Sequence, residues 1–145
     1  MDSPLQTFVL LNEIGIINQL ASTRFAALLP EGLTLPQFTV LNNFVRLGGV
    51  RTPAELADAF QVTRGAMTNT LQRLEAEGLI RIRPNAADGR SKEVSITAKG
   101  RRLRDAAVAA TAPELDRITE ALGAESIQRA LPFLQNLRGW LDTHR

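Results

Sequence analysis

Two helix-start signals stand close together in the middle of this chain and constrain its fold more than any other feature. At the first, Thr52-Pro53-Ala54-Glu55 sets a threonine N-cap, a proline at the first helical position and a glutamate at the third. At the second, Thr63 caps a helix that reaches Glu77, where Gly78 stops it. Only a short helix to about Phe60 and a tight turn at Gln61-Val62 fit between them. Beyond Gly78, residues 79–83 and 93–96 alternate apolar and polar side chains, as half-buried strands do. Residues 84–90 between them carry the turn formers Pro84-Asn85 and Asp88-Gly89. Residues 52–97 therefore read as helix, turn, helix, β-hairpin with a long tip.

Helices flank this unit on both sides. Over residues 5–29, Leu10, Ile14, Ile17, Phe25 and Leu28 recur at helical spacing, and Pro30-Glu31-Gly32 ends the run. A second helix spans about 34–47, opened by Thr34 and Gln37 in capping-box spacing and closed by Gly48-Gly49. Thr97 caps a helix beginning Ala98-Lys99-Gly100, with Leu103, Val108, Leu115, Ile118 and Leu122 as its apolar contacts. Pro113 interrupts the pattern, and Thr111 and Glu114 could cap a fresh helix, so a kink or a restart is expected there. A last helix over 125–141 places Ile127, Leu131, Leu134, Leu137 and Leu141 on one side, with a bend expected at Pro132. The fold class is mainly α with a small β-hairpin wing. Residues 1–33, 34–97 and 98–145 are expected to form an N-terminal helix, a helix-turn-helix with its wing, and C-terminal helices of one integrated domain.

In a helix-turn-helix the second helix lies in the major groove of DNA. Here Ala66, Met67, Thr70, Leu71 and Leu74 fall on the side expected to pack inward. Arg64, Gly65, Thr68, Asn69, Gln72 and Arg73 fall on the other, which has no acid until Glu75. That outer face offers arginine for guanine or phosphate, asparagine for adenine, and a threonine for hydrogen bonding or a thymine methyl. Gly65 weakens a helix, so its place near the start points to close approach of something outside. The hairpin adds Arg81, Arg83, Arg90 and Lys92. Asp88, two residues before Arg90, is expected to hold the guanidinium in a pose suited to the minor groove.

Charge supports the same face. The net charge is only +2, although the pI is 9.9, because there is no Cys or Tyr to titrate on the way up. Residues 63–104, however, hold ten Lys/Arg against four Asp/Glu, and the remainder of the chain is net acidic. Without cysteine there is no disulfide, thiolate metal site or thiol sensor, and the one histidine, His144, makes a metal centre or histidine base improbable. With no triad, metal cluster or phosphate loop, no enzyme activity, metal or cofactor is expected. No apolar run nears the ~20 residues that cross a bilayer, and the start Met1-Asp2-Ser3-Pro4 lacks the basic residues of a signal peptide. The expected location is the cytoplasm.

The segments Leu56-Ala57, residues 62–71 and 73–80, the wing motif Asp88-Gly89-Arg90-Ser91-Lys92 and Ile96-Thr97-Ala98-Lys99-Gly100 together resemble the MarR family of bacterial regulators. The resemblance spans nearly the whole chain. It implies a triangular homodimer whose first and last helices, with the end of the fifth, interlock across the two-fold axis. Recognition helices starting near Arg64 would enter successive major grooves of a pseudo-palindromic double-stranded operator, with Thr63, Arg64, Gly65, Thr68, Asn69, Gln72 and Arg73 at the DNA. The wings, with Arg81, Arg83, Asp88, Arg90 and Lys92, would reach flanking minor grooves. It also implies a small aromatic or anionic ligand whose binding releases a repressor from DNA. A pocket among Arg24, Phe25, Phe38 and Leu103 is the candidate site, although Phe25 and Phe38 equally suit a core and Arg24 a structural ion pair. Two other readings stand beside this one: a DNA-binding regulator controlled by its level or by a protein partner, and a winged-helix module for protein contact.

Overall fold

The computed structural model describes residues 2–145. Its elements are α1 (Ser3–Leu28), α2 (Leu35–Leu47), α3 (Pro53–Ala59), α4 (Arg64–Ala76), β1 (Ile80–Pro84), β2 (Lys92–Ile96), α5 (Ala98–Leu122) and α6 (Ala124–Thr143). Four threonines fix where four of the helices begin. The hydroxyl oxygens of Thr34, Thr52, Thr63 and Thr97 accept hydrogen bonds from the backbone N–H groups of Gln37, Glu55, Ala66 and Gly100, at 3.0–3.3 Å. At α2 the bond is reciprocated, because Gln37 Oε1 accepts from the Thr34 N–H at 3.0 Å. Glycines with positive φ follow α2 and α4, at Gly48 and Gly78.

One core joins α2, α3, α4, the hairpin and the middle of α5. Val40, Leu41 and Phe44 of α2 meet Leu56 and Ala57 of α3, Met67, Leu71 and Leu74 of α4, Leu79, Ile80 and Val94 around the hairpin, and Ala107 of α5. The strands pair antiparallel from Ile80 opposite Ile96 to Pro84 opposite Lys92. Arg51 adds an isolated bridge to the free edge of β2, giving its N–H to the Val94 carbonyl at 3.0 Å and taking the Val94 N–H at 2.7 Å. Among the described residues no helix is long and apolar enough to cross a membrane.

The prolines do not divide the last two helices. Pro113 lies inside an unbroken α5 and Pro132 inside an unbroken α6, so the restart expected at Pro113 is absent. Each proline leaves one carbonyl a turn back, at Ala109 and Gln128, without its N–H donor. Both of those residues are exposed, so water can take the place of the lost bond. Thr111 does not cap either: its hydroxyl donates back to the Val108 carbonyl at 2.8 Å.

Thr97 joins the hairpin to the body. Besides capping α5, its hydroxyl donates to the Gly78 carbonyl at 2.7 Å, and its N–H donates to the Leu79 carbonyl at 3.1 Å. Thr97→Ala should destabilise folding by about 1–2 kcal/mol, the sum expected for a lost cap and a neighbouring hydrogen bond. Thr97→Ser, which keeps the hydroxyl, should recover most of it. Urea midpoints of the three proteins check this, and equal midpoints for alanine and serine would contradict it.

Candidate nucleic-acid interface

The turn that presents α4 is fixed by its backbone. Gln61 takes a left-handed conformation, φ +53°, unusual for a residue with a Cβ. The Gln61 N–H and the Val62 N–H donate to the carbonyls of Asp58 and Ala57, at 3.2 and 3.0 Å. The buried side chains Met67, Leu71 and Leu74 then hold α4 by one face. Arg64, Gly65, Thr68, Asn69, Gln72 and Arg73 all stand exposed on the other side. The expectation for Ala66 fails, since it is exposed too, and Thr70 is only half-buried. Both lie on the flanks of the apolar stripe, where small side chains do not reach the core. The Thr63 oxygen accepts the capping bond, which leaves the hydroxyl proton free to donate to a phosphate.

Strand alternation sorts the wing. Ile80 and Ile82 turn toward the body, and Arg81 and Arg83 are exposed between and beyond them. Glu75, the first acid after the exposed face of α4, is turned to the hairpin, where its Oε2 accepts from the Ile82 N–H at 3.0 Å. At the tip, Asp88 does not hold the Arg90 guanidinium. Its Oδ1 accepts from the backbone N–H of Arg90 at 3.0 Å, and its carbonyl takes the Ser91 N–H at 3.2 Å. Asp88 therefore shapes the loop and leaves the Arg90 side chain free of an ion pair among the described residues. With only one intervening residue, the carboxylate meets the main chain before the long arginine side chain can fold back.

Helix and wing meet in a crevice of about 380 Å³ lined by Thr52, Arg64, Thr68, Arg90 and Lys92. Three cations, one from α4 and two from the wing, thus surround one opening beside the start of α4. Thr52, absent from the sequence-based site, belongs to it by position; its capping role was the only sign the sequence offered.

The four residues proposed for a ligand pocket lie on α1, α2 and α5, three helices that pack on one another in a seam, and Arg24 stands exposed on it. Phe25, Phe38 and Leu103 are half-buried, with Phe38 and Leu103 packed on the core. Arg24 is paired with Glu114, whose other oxygen takes Arg117 at 3.1 Å.

A helix-turn-helix continued by a two-stranded wing is the architecture of a winged-helix DNA-binding protein. A sequence profile of the MarR family matches residues 31–91. An HTH-type transcriptional repressor of Mycobacterium tuberculosis is 38% identical over 115 residues, 69% of this chain and 82% of the relative. The transcriptional regulator HosA of Escherichia coli is 33% identical over 116 residues, 79% of this chain and 82% of its own. In structure, a mutant of MarR from E. coli complexed with operator DNA superposes with a TM-score of 0.72 at 27% identity, covering 94% of this chain and 99% of that one. The transcriptional regulator BldR from Sulfolobus solfataricus gives 0.75 at 26% identity, covering 94% and 97%. The chain belongs to the MarR family of winged helix-turn-helix transcriptional regulators, and it is a DNA-binding regulator.

Proposed function

We propose that this regulator is a repressor that binds a pseudo-palindromic operator as a homodimer, with α4 reading the major groove and the wing reaching the minor groove. The convergence of Arg64, Arg90 and Lys92 on one crevice carries the reading, because three cations without acidic partners among the described residues fit a phosphate backbone better than they fit each other. The repressor relative in M. tuberculosis supports the sign of regulation. We assign no catalytic role to any residue. Exposed apolar residues on both terminal helices, among them Phe8, Leu20, Phe133 and Trp140, support the dimer. Release by an aromatic or anionic ligand remains part of the proposal. A ligand at Arg24, however, would first have to displace Glu114. Fluorescence anisotropy with an operator selected from random duplexes, at two salt concentrations, tests the DNA-binding mode. Affinity should fall with a log–log slope of about −0.9 per phosphate contacted, and a flat response would favour a protein-contact module instead.

Arg90→Ala and Asn69→Ala should separate positioning from reading. Arg90→Ala is expected to weaken binding with little change in major-groove preference, whereas Asn69→Ala should relax preference at one or two base pairs, by about 1–3 kcal/mol each. Titrations on operator variants distinguish them; equal losses on specific and random DNA for Asn69→Ala would remove it from the reading set.

Gly65 gives a test that separates folding from binding. A Cβ there meets nothing within 4 Å in the protein itself. Gly65→Ala should therefore raise stability by about 0.5 kcal/mol and yet weaken operator binding, if DNA is what requires the space. A thermal melt and an anisotropy titration check both signs, and unchanged affinity would mean that no close approach occurs at this position.

A further inference from the structure

A cleft of about 390 Å³ lies where α2, α3 and α6 come together, away from the Arg24 seam and from the DNA-facing crevice. Its lining brings Arg46 of α2, Arg51 of the following loop and Arg138 of α6 around one space. Among the described residues none of these three guanidiniums has a carboxylate partner. Asp58 and Asp142, also at the cleft, are both engaged by Arg145 at 3.0 Å, which leaves Glu55 as its one unpaired acid. Counting Arg145 against the two aspartates it holds, the cleft has four arginines and three carboxylates, an excess of one positive charge, and three of its guanidiniums have no carboxylate of their own. The position of Arg46 in the last turn of α2 suits that helix's dipole. That accounts for one cation and not for the two that arrive from other segments.

Asn43 supplies the second observation. It lines the cleft, is 5% exposed, and its Oδ1 is shut off from water with no hydrogen-bond partner. Such an acceptor costs about 1–3 kcal/mol, and a side-chain amide turns readily about its last torsion to meet a donor. Leu47 and Phe60 add an apolar wall. Arginine forks match planar or tetrahedral oxyanions, and three guanidiniums without carboxylate partners can engage the three free oxygens of a phosphate monoester, where a carboxylate offers only two.

We propose that this cleft binds a small organic dianion of the phosphate-monoester class, its phosphate held by Arg46, Arg51 and Arg138 and its carbon part against Leu47 and Phe60. The ligand's hydroxyl or amine donor satisfies Asn43. Because Arg138 belongs to a terminal helix and the other two flank the start of the helix-turn-helix, occupancy ties α6 to α3 and so biases the pose of α4. This regulatory consequence rests on the repressor reading above, whereas the binding itself does not.

Calorimetric titration of the full chain with phenyl phosphate, without DNA, tests the site. Saturable binding with a Kd of about 1 mM or tighter is expected, and benzoate, a monoanion, should bind about tenfold more weakly. Arg46→Ala and Arg138→Ala should each weaken phenyl phosphate binding about tenfold, Arg46→Lys less, and Arg129→Ala not at all, with helicity checked by circular dichroism. No saturable binding overturns the proposal. So does benzoate binding as tightly as phenyl phosphate, or a loss that follows Arg24→Ala instead of Arg46→Ala and Arg138→Ala.

Discussion

Gly100→Ala should destabilise this protein by about 3 kcal/mol, although alanine is the better helix former. Gly100 sits in the first turn of α5, directly on the strand that leaves α4. A Cβ there would lie 2.1 Å from the Leu79 carbonyl oxygen, 3.1 Å from its carbonyl carbon and 2.9 Å from Ile96 Cγ1. None of these atoms is the far end of a flexible chain. The Leu79 carbonyl is held in place by the Thr97 N–H at 3.1 Å, and Leu79 itself is buried. Relief therefore requires α5 to move off the base of the hairpin, which pulls on the Thr97 cap and on Ala107 in the core. Gly78→Ala is the matched control. Gly78 has φ +74°, so alanine there is strained, but its Cβ would meet only Lys99 Cδ at 3.9 Å. Its cost should be about 1–2 kcal/mol, smaller than that of Gly100→Ala. Urea denaturation of both variants decides the matter, and a Gly100→Ala midpoint at or above that of the wild type would rule out the close packing.

Helix starts were legible because a threonine cap is a local device: Thr34, Thr52, Thr63 and Thr97 each act within three residues of themselves. The exposed face of α4 was legible for the same reason, since helical periodicity places Arg64, Thr68 and Asn69 opposite Met67 and Leu71. Relations between distant segments were not. Nothing in the chain signals that Arg24 will meet Glu114, or that Arg51 will bridge to Val94. No restart follows at Pro113, because on the exposed side of a long helix the freed carbonyl is cheaply solvated. Asp88 misled because its competing partner, a backbone N–H two residues on, is nearer than any side chain.

For the homodimer proposed above, replacing Leu134 by Glu, or Ile14 by Glu, should yield monomers and lower operator affinity by about 100-fold or more. The buried core of the protomer draws on α2 to α5 and the hairpin and includes no residue of α1 or α6. Both terminal helices, 26 and 20 residues long, bury no residue fully among those described. Yet α1 exposes Leu5, Phe8, Val9, Leu11, Ile16, Ile17 and Leu20, which leaves apolar side chains on more than one side of it. A helix apolar around its circumference must be surrounded, and one protomer covers it only in part. Leu134 and Ile14 line one apolar cleft of about 700 Å³ together with Leu11, Leu137 and Leu141, which places the two positions on one candidate seam. A carboxylate there would be buried against apolar surface without a partner on association, while in the monomer Leu134 is exposed and Ile14 half-buried, so water still reaches it. The penalty therefore falls on the dimer and spares the protomer core. Operator binding follows, because each half-site alone loses the gain from linking two reading helices on one duplex. Sedimentation at micromolar concentration and anisotropy on the same samples give the two readouts. Monomers with undiminished operator affinity would separate dimerisation from DNA binding, and intact dimers in both variants would place the seam elsewhere than along α1 and α6.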